Sequence, residues 1–512
     1  MINNYTKRSW SPYSVILIIL PAFMVFILLF LFTGSVSYKA LIPVWNDEVG
    51  WWGYVRNIVE NINYPGHTGY NGEYARIGNY GPWGVAPLLP YALVGKIFGW
   101  NLYSMSLANV FILGFGLFLF SLLVNADDRM VLNIGLIYIC MYICVGYSMT
   151  SMSESLRYSL TIILCGIVIH LSRIETNNYS KTEMIRYIIK LVMIGLFVLY
   201  AVNVWLILAL FIPLLLWFIL RKLSKWIKIA VISIVTVVVS AFEQYVVGLV
   251  SYNYVEYPLS KMITECKIGG LGAGVRYIVS NMFTNLETVN LPNIFRNNDN
   301  TLFLYFILYI ILVVISTVRL FEEKCFLNFL ICYILVSFLV GYCALYTGSG
   351  WTLCRGTNAG LFAASLCSCV FEGKRVNIGI KKTVFLAGLI GIVVSYDYYF
   401  GIVSERINTA SNLELIYEEQ VRLNGVIDIS PENDAWDNTI AEYGTTDFWY
   451  LAMPIGAHGN YMLNRETNTK ARYVIVRSTD GEAENVVNEH INNGHSVILK
   501  DDIFIVLKRE GL

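Results

Sequence analysis

The sequence predicts a polytopic α-helical membrane protein with about eleven transmembrane helices, interfacial helices in its first outer loop and a small C-terminal α/β domain. Three observations carry this expectation. Of the 512 residues, 56% are hydrophobic and only 14% charged, with a mean hydropathy of +0.58, which is more apolar surface than a soluble chain of this length hides. Apolar runs of bilayer-crossing length recur through the first 400 or so residues. After about residue 401 the composition turns polar, cysteine disappears and Asp, Glu and Asn accumulate. The 36 basic and 36 acidic residues cancel, so no global basic field exists to hold nucleic acid. The 35 Tyr and 12 Trp suit a chain whose aromatic rings sit at membrane–water boundaries.

Lys7 and Arg8 precede an apolar run from Tyr13 to Phe32, too long for a cleaved signal peptide and without an A-x-A-like site, so an uncleaved anchor with a cytoplasmic N-terminus is expected. The spans are expected at about 14–33, 102–124, 131–150, 158–172, 187–202, 204–220, 227–249, 301–319, 326–345, 356–371 and 382–400. Two choices set the parity. The uncharged stretch 191–220 has basic flanks on both sides, Arg186 and Lys190 before, Arg221, Lys222, Lys225 and Lys228 after. Retention of Lys and Arg on the cytoplasmic side therefore predicts a hairpin. The segment Val85 to Trp100 is short, carries Lys96 and is interrupted by Pro87 and Pro90, which predicts a helix lying at the interface. Seventeen basic residues then fall in short inner connections and about ten in the longer outer loops, giving a multi-pass protein of a bacterial-type cell membrane with an extracytoplasmic C-terminus.

The outer loops are 34–101 and 250–300, and the expected division is a transmembrane catalytic unit 1–401 and a terminal unit 402–512. Strand-like runs at Arg472–Arg477, Ser496–Leu499 and Ile503–Lys508, the last two joined by Lys500-Asp501-Asp502, predict a hairpin in the terminal unit. The cysteines at 140, 144, 165, 332, 367 and 369 lie in apolar runs and read as small hydrophobes. No GxxxxGK[ST], GxGxxG, HExxH or paired CxxC motif and no transporter-type repeat occurs.

Chemistry concentrates in the first outer loop. Pro43-Val44-Trp45-Asn46-Asp47-Glu48 leads into an amphipathic stretch through Trp51, Trp52, Tyr54, Val55 and Ile58. Paired carboxylates here either cap that helix or meet a substrate at the membrane surface. About 30 residues on come Asn79-Tyr80-Gly81-Pro82, then Tyr91, then Lys96-Ile97-Phe98-Gly99-Trp100-Asn101. This order resembles the GT-C superfamily of polyprenyl-phosphate-sugar-dependent glycosyltransferases, which includes protein mannosyltransferases and the aminoarabinose transferase.

The resemblance, over roughly residues 14–400, implies an inverting membrane glycosyltransferase moving sugar from a polyprenyl-phosphate donor to an acceptor hydroxyl outside the membrane. Asp47 would be the general base, with Glu48 orienting it, binding sugar or capping. Arg355 at the start of a late span is the candidate donor-phosphate cation, with interfacial snorkelling as the alternative, and Tyr80 belongs to the same candidate group. The family often has Lys beside the proline of the first loop; this chain has Gly81-Pro82, which puts a phosphate contact from that segment in doubt.

Glu154 and Arg157 form a second candidate site in an outer loop, or merely pair across a helical turn. Glu243 inside a span should face a polar cavity, and His67 is the histidine near the acidic pair. No cofactor is expected, because a monophosphate leaving group needs less neutralisation than a diphosphate, and no DxD motif is present; a divalent cation is not excluded. The acceptor is a cell-envelope glycan, glycolipid or protein. Trp436-Asp437-Asn438-Thr439 and Phe448-Trp449-Tyr450 are candidate acceptor contacts or ordinary core. Competing functions are a lipid-linked-sugar flippase or transporter and a surface-polysaccharide polymerase or ligase.

Overall fold

The computed structural model describes residues 11–60, 67–68, 76–81, 83–174, 181–250, 258–288, 294, 299–323, 325–346, 348–370, 378–428, 436–443, 451–453, 460–461 and 469–510. The membrane unit contains α1 (Ile16–Thr33), α2 (Asn46–Glu60), α3 (Leu89–Phe98), α4 (Ser104–Leu123), α5 (Asp128–Cys140), α6 (Tyr142–Ser148), α7 (Glu154–Arg173), α8 (Lys181–Val204), α9 (Phe211–Ile219) and α10 (Lys225–Val250). It continues through α11 (Pro258–Gly269), α12 (Leu271–Glu287), α13 (Asn300–Glu323), α14 (Phe326–Leu345), α15 (Gly350–Cys367), α16 (Ile378–Val394) and α17 (Tyr396–Ala410). Two short strands, β1 (His67–Thr68) and β2 (Arg76–Ile77), pair antiparallel within the first outer loop.

Every apolar run read from the sequence is helical, but not every one is a straight crossing. Among the described residues seven helices are long and apolar enough to cross a membrane, or nine if each of two bent pairs is one span. The α5–α6 pair bends by 77° and the end of α16 meets α17 at 50°. The first bend has a local cause: Met141 sits at φ −84°, ψ 70°, outside helical space. The stretch 191–220 breaks where Trp205 adopts an extended conformation, leaving α8 long enough to cross and a shorter apolar element, Leu206–Ile219, after it. The remaining run, now α15, carries Arg355, Thr357 and Asn358 and is too polar for a lipid-exposed span. It is instead almost wholly buried among other helices.

Apolar side chains point outward where lipid would lie. Ile188, Val192 and Leu196 of α8 and Val237, Phe242 and Leu249 of α10 are exposed, while Glu243 is the buried residue of α10. Close contacts between spans are made over small residues, since apolar lipid offers no hydrophobic drive between helices. At the α1–α4 crossing, a Cβ on Gly114 would overlap the Ile18 carbonyl.

The terminal unit adds α18 (Leu413–Val426), β3 (Ile440–Tyr443), β4 (Asn460–Tyr461), β5 (Tyr473–Arg477), α19 (Ala483–Asn492), β6 (His495–Lys500) and β7 (Phe504–Arg509). The five-stranded sheet runs β4-β3-β5-β7-β6, parallel on the β4-β3-β5 side and antiparallel through β7 and β6. The expected hairpin is therefore β6–β7. Residue 401 lies inside the continuous helix α17. One apolar core joins the two units: Ile42, Val49 and Trp52 of the first loop and Leu102 just after it pack with Ile416, Leu423, Tyr473 and Phe504.

Gly114→Ala should lower the thermal midpoint of the detergent-solubilised protein, by about 1–3 kcal/mol of overpacking, whereas Gly195→Ala on α8, where nothing lies within 4 Å, should leave it unchanged or slightly raised. A second expectation concerns acid. His490 is buried, its Nε2 lies 3.0 Å from the Tyr443 hydroxyl, and burial lowers its pKa to about 4. The unfolded chain takes up that proton first, near the ordinary value of 6.5, so stability is full above that pH and falls as pH drops toward 4. Hydrogen exchange in α19 and β6 of the full-length protein should accelerate over that window, and His490→Gln should flatten the dependence.

Candidate active site

Glu48 is the third residue of α2, and its Oε2 accepts from the backbone N–H groups of Val44 (2.8 Å) and Trp45 (3.1 Å). This is the reach-back of a capping box, which satisfies donors the helix leaves open. Oε1 accepts from Ser151 N at 2.9 Å and from the guanidinium of Arg406. The carboxylate is fully buried and answered from three separate segments. The expected catalytic pair is thus divided: Glu48 faces inward as a structural anchor, and its neighbour one position earlier does not.

Asp47 points the other way, with its side chain 54% exposed, into a cavity of roughly 320 Å³. Arg157, Glu243 and Arg355 line the same cavity, together with Trp83, Trp205 and Tyr342. Arg355 Nη1 donates to Asp47 Oδ2 at 3.0 Å, and its Nε donates to Glu154 Oε1. The helix that carries Arg355 starts cleanly because Ser349 caps it, its hydroxyl oxygen accepting from Thr352 N. Two turns in, a Cβ on Gly356 would overlap the Tyr342 ring, so glycine there lets that ring close the cavity wall.

Glu154 is buried beneath the two arginines. Its Oε1 is 3.5 Å from Arg157 Nη1, so the helical-turn pairing expected of Glu154 and Arg157 does form, and Arg355 joins it from α15. Among the described residues Glu154 Oε2 and Arg157 Nε have no hydrogen-bond partner. The Arg157 guanidinium lies over two indoles, 5.7 Å from Trp83 and 5.4 Å from Trp205. Trp83 in turn stacks on Trp51 at 6.1 Å with an interplanar angle of 7°. Stacking of this kind fixes a guanidinium plane without consuming its N–H donors. On the far wall Gln244 Nε2 donates to Glu243 Oε2 at 2.7 Å.

The first loop holds two further candidates, Tyr80 and His67. Tyr80 does not line the cavity; its backbone N–H donates to Val250 O at 2.9 Å, tying the loop to the end of α10, and burial raises its hydroxyl pKa. Its ring packs against the membrane core. His67 is on β1, with Thr68 opposite Arg76, and its side chain lies outside the described residues, as do Pro82 and Phe448-Trp449-Tyr450. Trp436 begins a short 3-10 turn packed against the sheet core. Among the described residues no group of three or more His, Cys, Asp and Glu side chains could hold a metal ion.

The chain is similar to solved structures. ArnT from Cupriavidus metallidurans bound to undecaprenyl phosphate matches at 10% identity over 97% of both chains, with a TM-score of 0.47. The apo oligosaccharyltransferase of Archaeoglobus fulgidus matches at 12% identity over 91% of this chain and 70% of that one, with a TM-score of 0.46. No family model and no curated protein matches the sequence.

Sequence reasoning missed Arg406, Trp83 and Trp205 as parts of this neighbourhood. Arg406 had one signal: with Glu405 it is a charged pair one helical segment beyond the last apolar run. The network makes a stability forecast. Glu154→Gln removes the buried charge that two partly exposed guanidinia share, so the thermal midpoint should fall by the equivalent of about 1–3 kcal/mol, read by thermal unfolding in detergent; an unchanged midpoint would show the three groups to be energetically independent.

Proposed function

We propose that this protein is an integral-membrane glycosyltransferase that moves a sugar from a polyprenyl-phosphate donor to an acceptor hydroxyl on the outer side of the membrane, with Asp47 as general base. The observation that carries this reading is the 3.0 Å contact of Asp47 with Arg355 in a cavity set among membrane-spanning helices. A proton acceptor and an anion-binding cation are in contact there. The acceptor oxygen attacks the anomeric carbon as the bond from that carbon to the phosphate oxygen breaks. The bonding electrons leave with the phosphate, and the hydroxyl proton goes to Asp47. Attack opposite the leaving group inverts the anomeric centre.

Arg355 serves both sides of this step. Before donor arrives it neutralises Asp47; a donor phosphate competes for the same guanidinium, which has donors enough to engage it in two parallel bonds. Releasing Asp47 from that contact leaves it free to accept a proton. Arg157, which lies over the rings of Trp83 and Trp205, adds positive charge on the same wall. The departing monophosphate then meets two guanidinia, which supports a metal-independent transfer, testable by full activity after chelation. The same reading places the N-terminus inside the cell and the terminal unit outside, where it would meet the acceptor; a compartment-dependent reporter fused after Leu512 should be active only as an extracytoplasmic fusion.

Asp47→Asn keeps the size of the side chain and should cut transfer by about 10²–10⁴-fold while the protein still inserts and binds donor. Near-wild-type transfer by the purified variant would remove the mechanism, and movement of lipid-linked sugar across vesicles without transfer would establish the flippase reading instead. Arg355→Lys keeps the charge but loses the fork geometry, so donor binding should weaken markedly in a direct binding assay.

A further inference from the structure

Arg406 is buried on α17, beyond the last apolar run, and touches neither the cavity nor Asp47. Its guanidinium donates to Glu48 and, through Nη1, to Ile402 O at 2.8 Å, and it lies 5.3 Å over the Trp45 ring. Trp45 Nε1 in turn donates to Glu405 Oε2 at 2.9 Å. These contacts grip α2 on either side of its first turn, and Asp47 is in that turn. Two residues on, Val49 and Trp52 are part of the apolar core that includes Ile416, Leu423 and Phe504 of the terminal unit. Glu48 also accepts from Ser151 N, three residues before Glu154.

From this we infer that Arg406 is a positioning residue: through Glu48 it fixes the first turn of α2, and so the carboxylate of Asp47, and it makes the segment leading into the terminal unit an integral part of the active site. The inference rests on the proposed role of Asp47. Breaking the grip lets α2 shift relative to α15 while Arg355, Glu154 and Arg157 stay where they are. Misplacement of a reacting group by about 1 Å is worth up to about 10² in rate, so the loss should fall on turnover and spare donor binding.

The experiment uses the full-length protein in lipid nanodiscs, with a polyprenyl-phosphate sugar as donor, and compares Arg406→Met, Arg406→Lys and Asp47→Asn. For Arg406→Met, kcat should fall about 100-fold with donor Kd within about twofold of wild type; Arg406→Lys, which restores the charge but not both donors, should recover most of that loss and remain about five- to tenfold below wild type. A folded Arg406→Met protein with kcat within twofold of wild type would overturn the inference. So would a variant that loses donor affinity and turnover in equal measure, the mark of general loosening. If the Met variant does not insert, Arg406→Lys decides alone: reduced kcat at unchanged donor Kd and thermal midpoint supports positioning, and wild-type kcat refutes it. Asp47→Asn separates the levels: if it is active, the function itself fails; if it is inactive while both Arg406 variants turn over normally, only the positioning role fails.

Discussion

A carboxylate with no access to water must find hydrogen-bond donors for both its oxygens, and Glu48 finds them in three places that are far apart in sequence. An uncompensated charge in such a site costs several kcal/mol, so the requirement acts as an assembly rule. The first outer loop, the turn before α7 and the helix α17 come together around it or not at all. Once they have done so, Asp47 on the opposite side of the same helical turn is left facing the cavity. Neighbouring residues on a helix point roughly 100° apart, which is why an adjacent acidic pair can split into one buried anchor and one accessible group.

That split explains which parts of the molecule were legible in the sequence. The apolar runs and the β6–β7 hairpin were, because hydropathy and alternation act locally. Where helices would bend was not: no proline or glycine stands at Met141 or Ser395 to mark the breaks in the sequence. Asp47 was legible as half of an acidic pair in the loop order that resembles the GT-C superfamily, Arg355 as a basic residue at the start of a late span, and Glu154 and Arg157 as an outer-loop pair three residues apart. Beyond the Glu154–Arg157 pair their contacts were not visible, since Arg355 lies 201 residues from Glu154 and 308 from Asp47 in the chain. Arg406 was overlooked because it lies past the last apolar run, in a segment that reads as the start of a separate polar unit, and only the shared core of Val49, Trp52 and Ile416 shows how closely that unit is joined.

The electrostatics of the cavity follow from unequal sharing. Glu154 is one anion set against Arg157 and Arg355, and Asp47 supplies a second that is half open to water. Screening weakens the outer contact far more than the inner one. The Arg355–Glu154 arm is therefore the stronger of the two, and the Arg355–Asp47 arm is the more readily broken. A tightly held inner pair and a more exposed outer pair on the same guanidinium leave one side of Arg355 able to exchange partners while the other stays fixed.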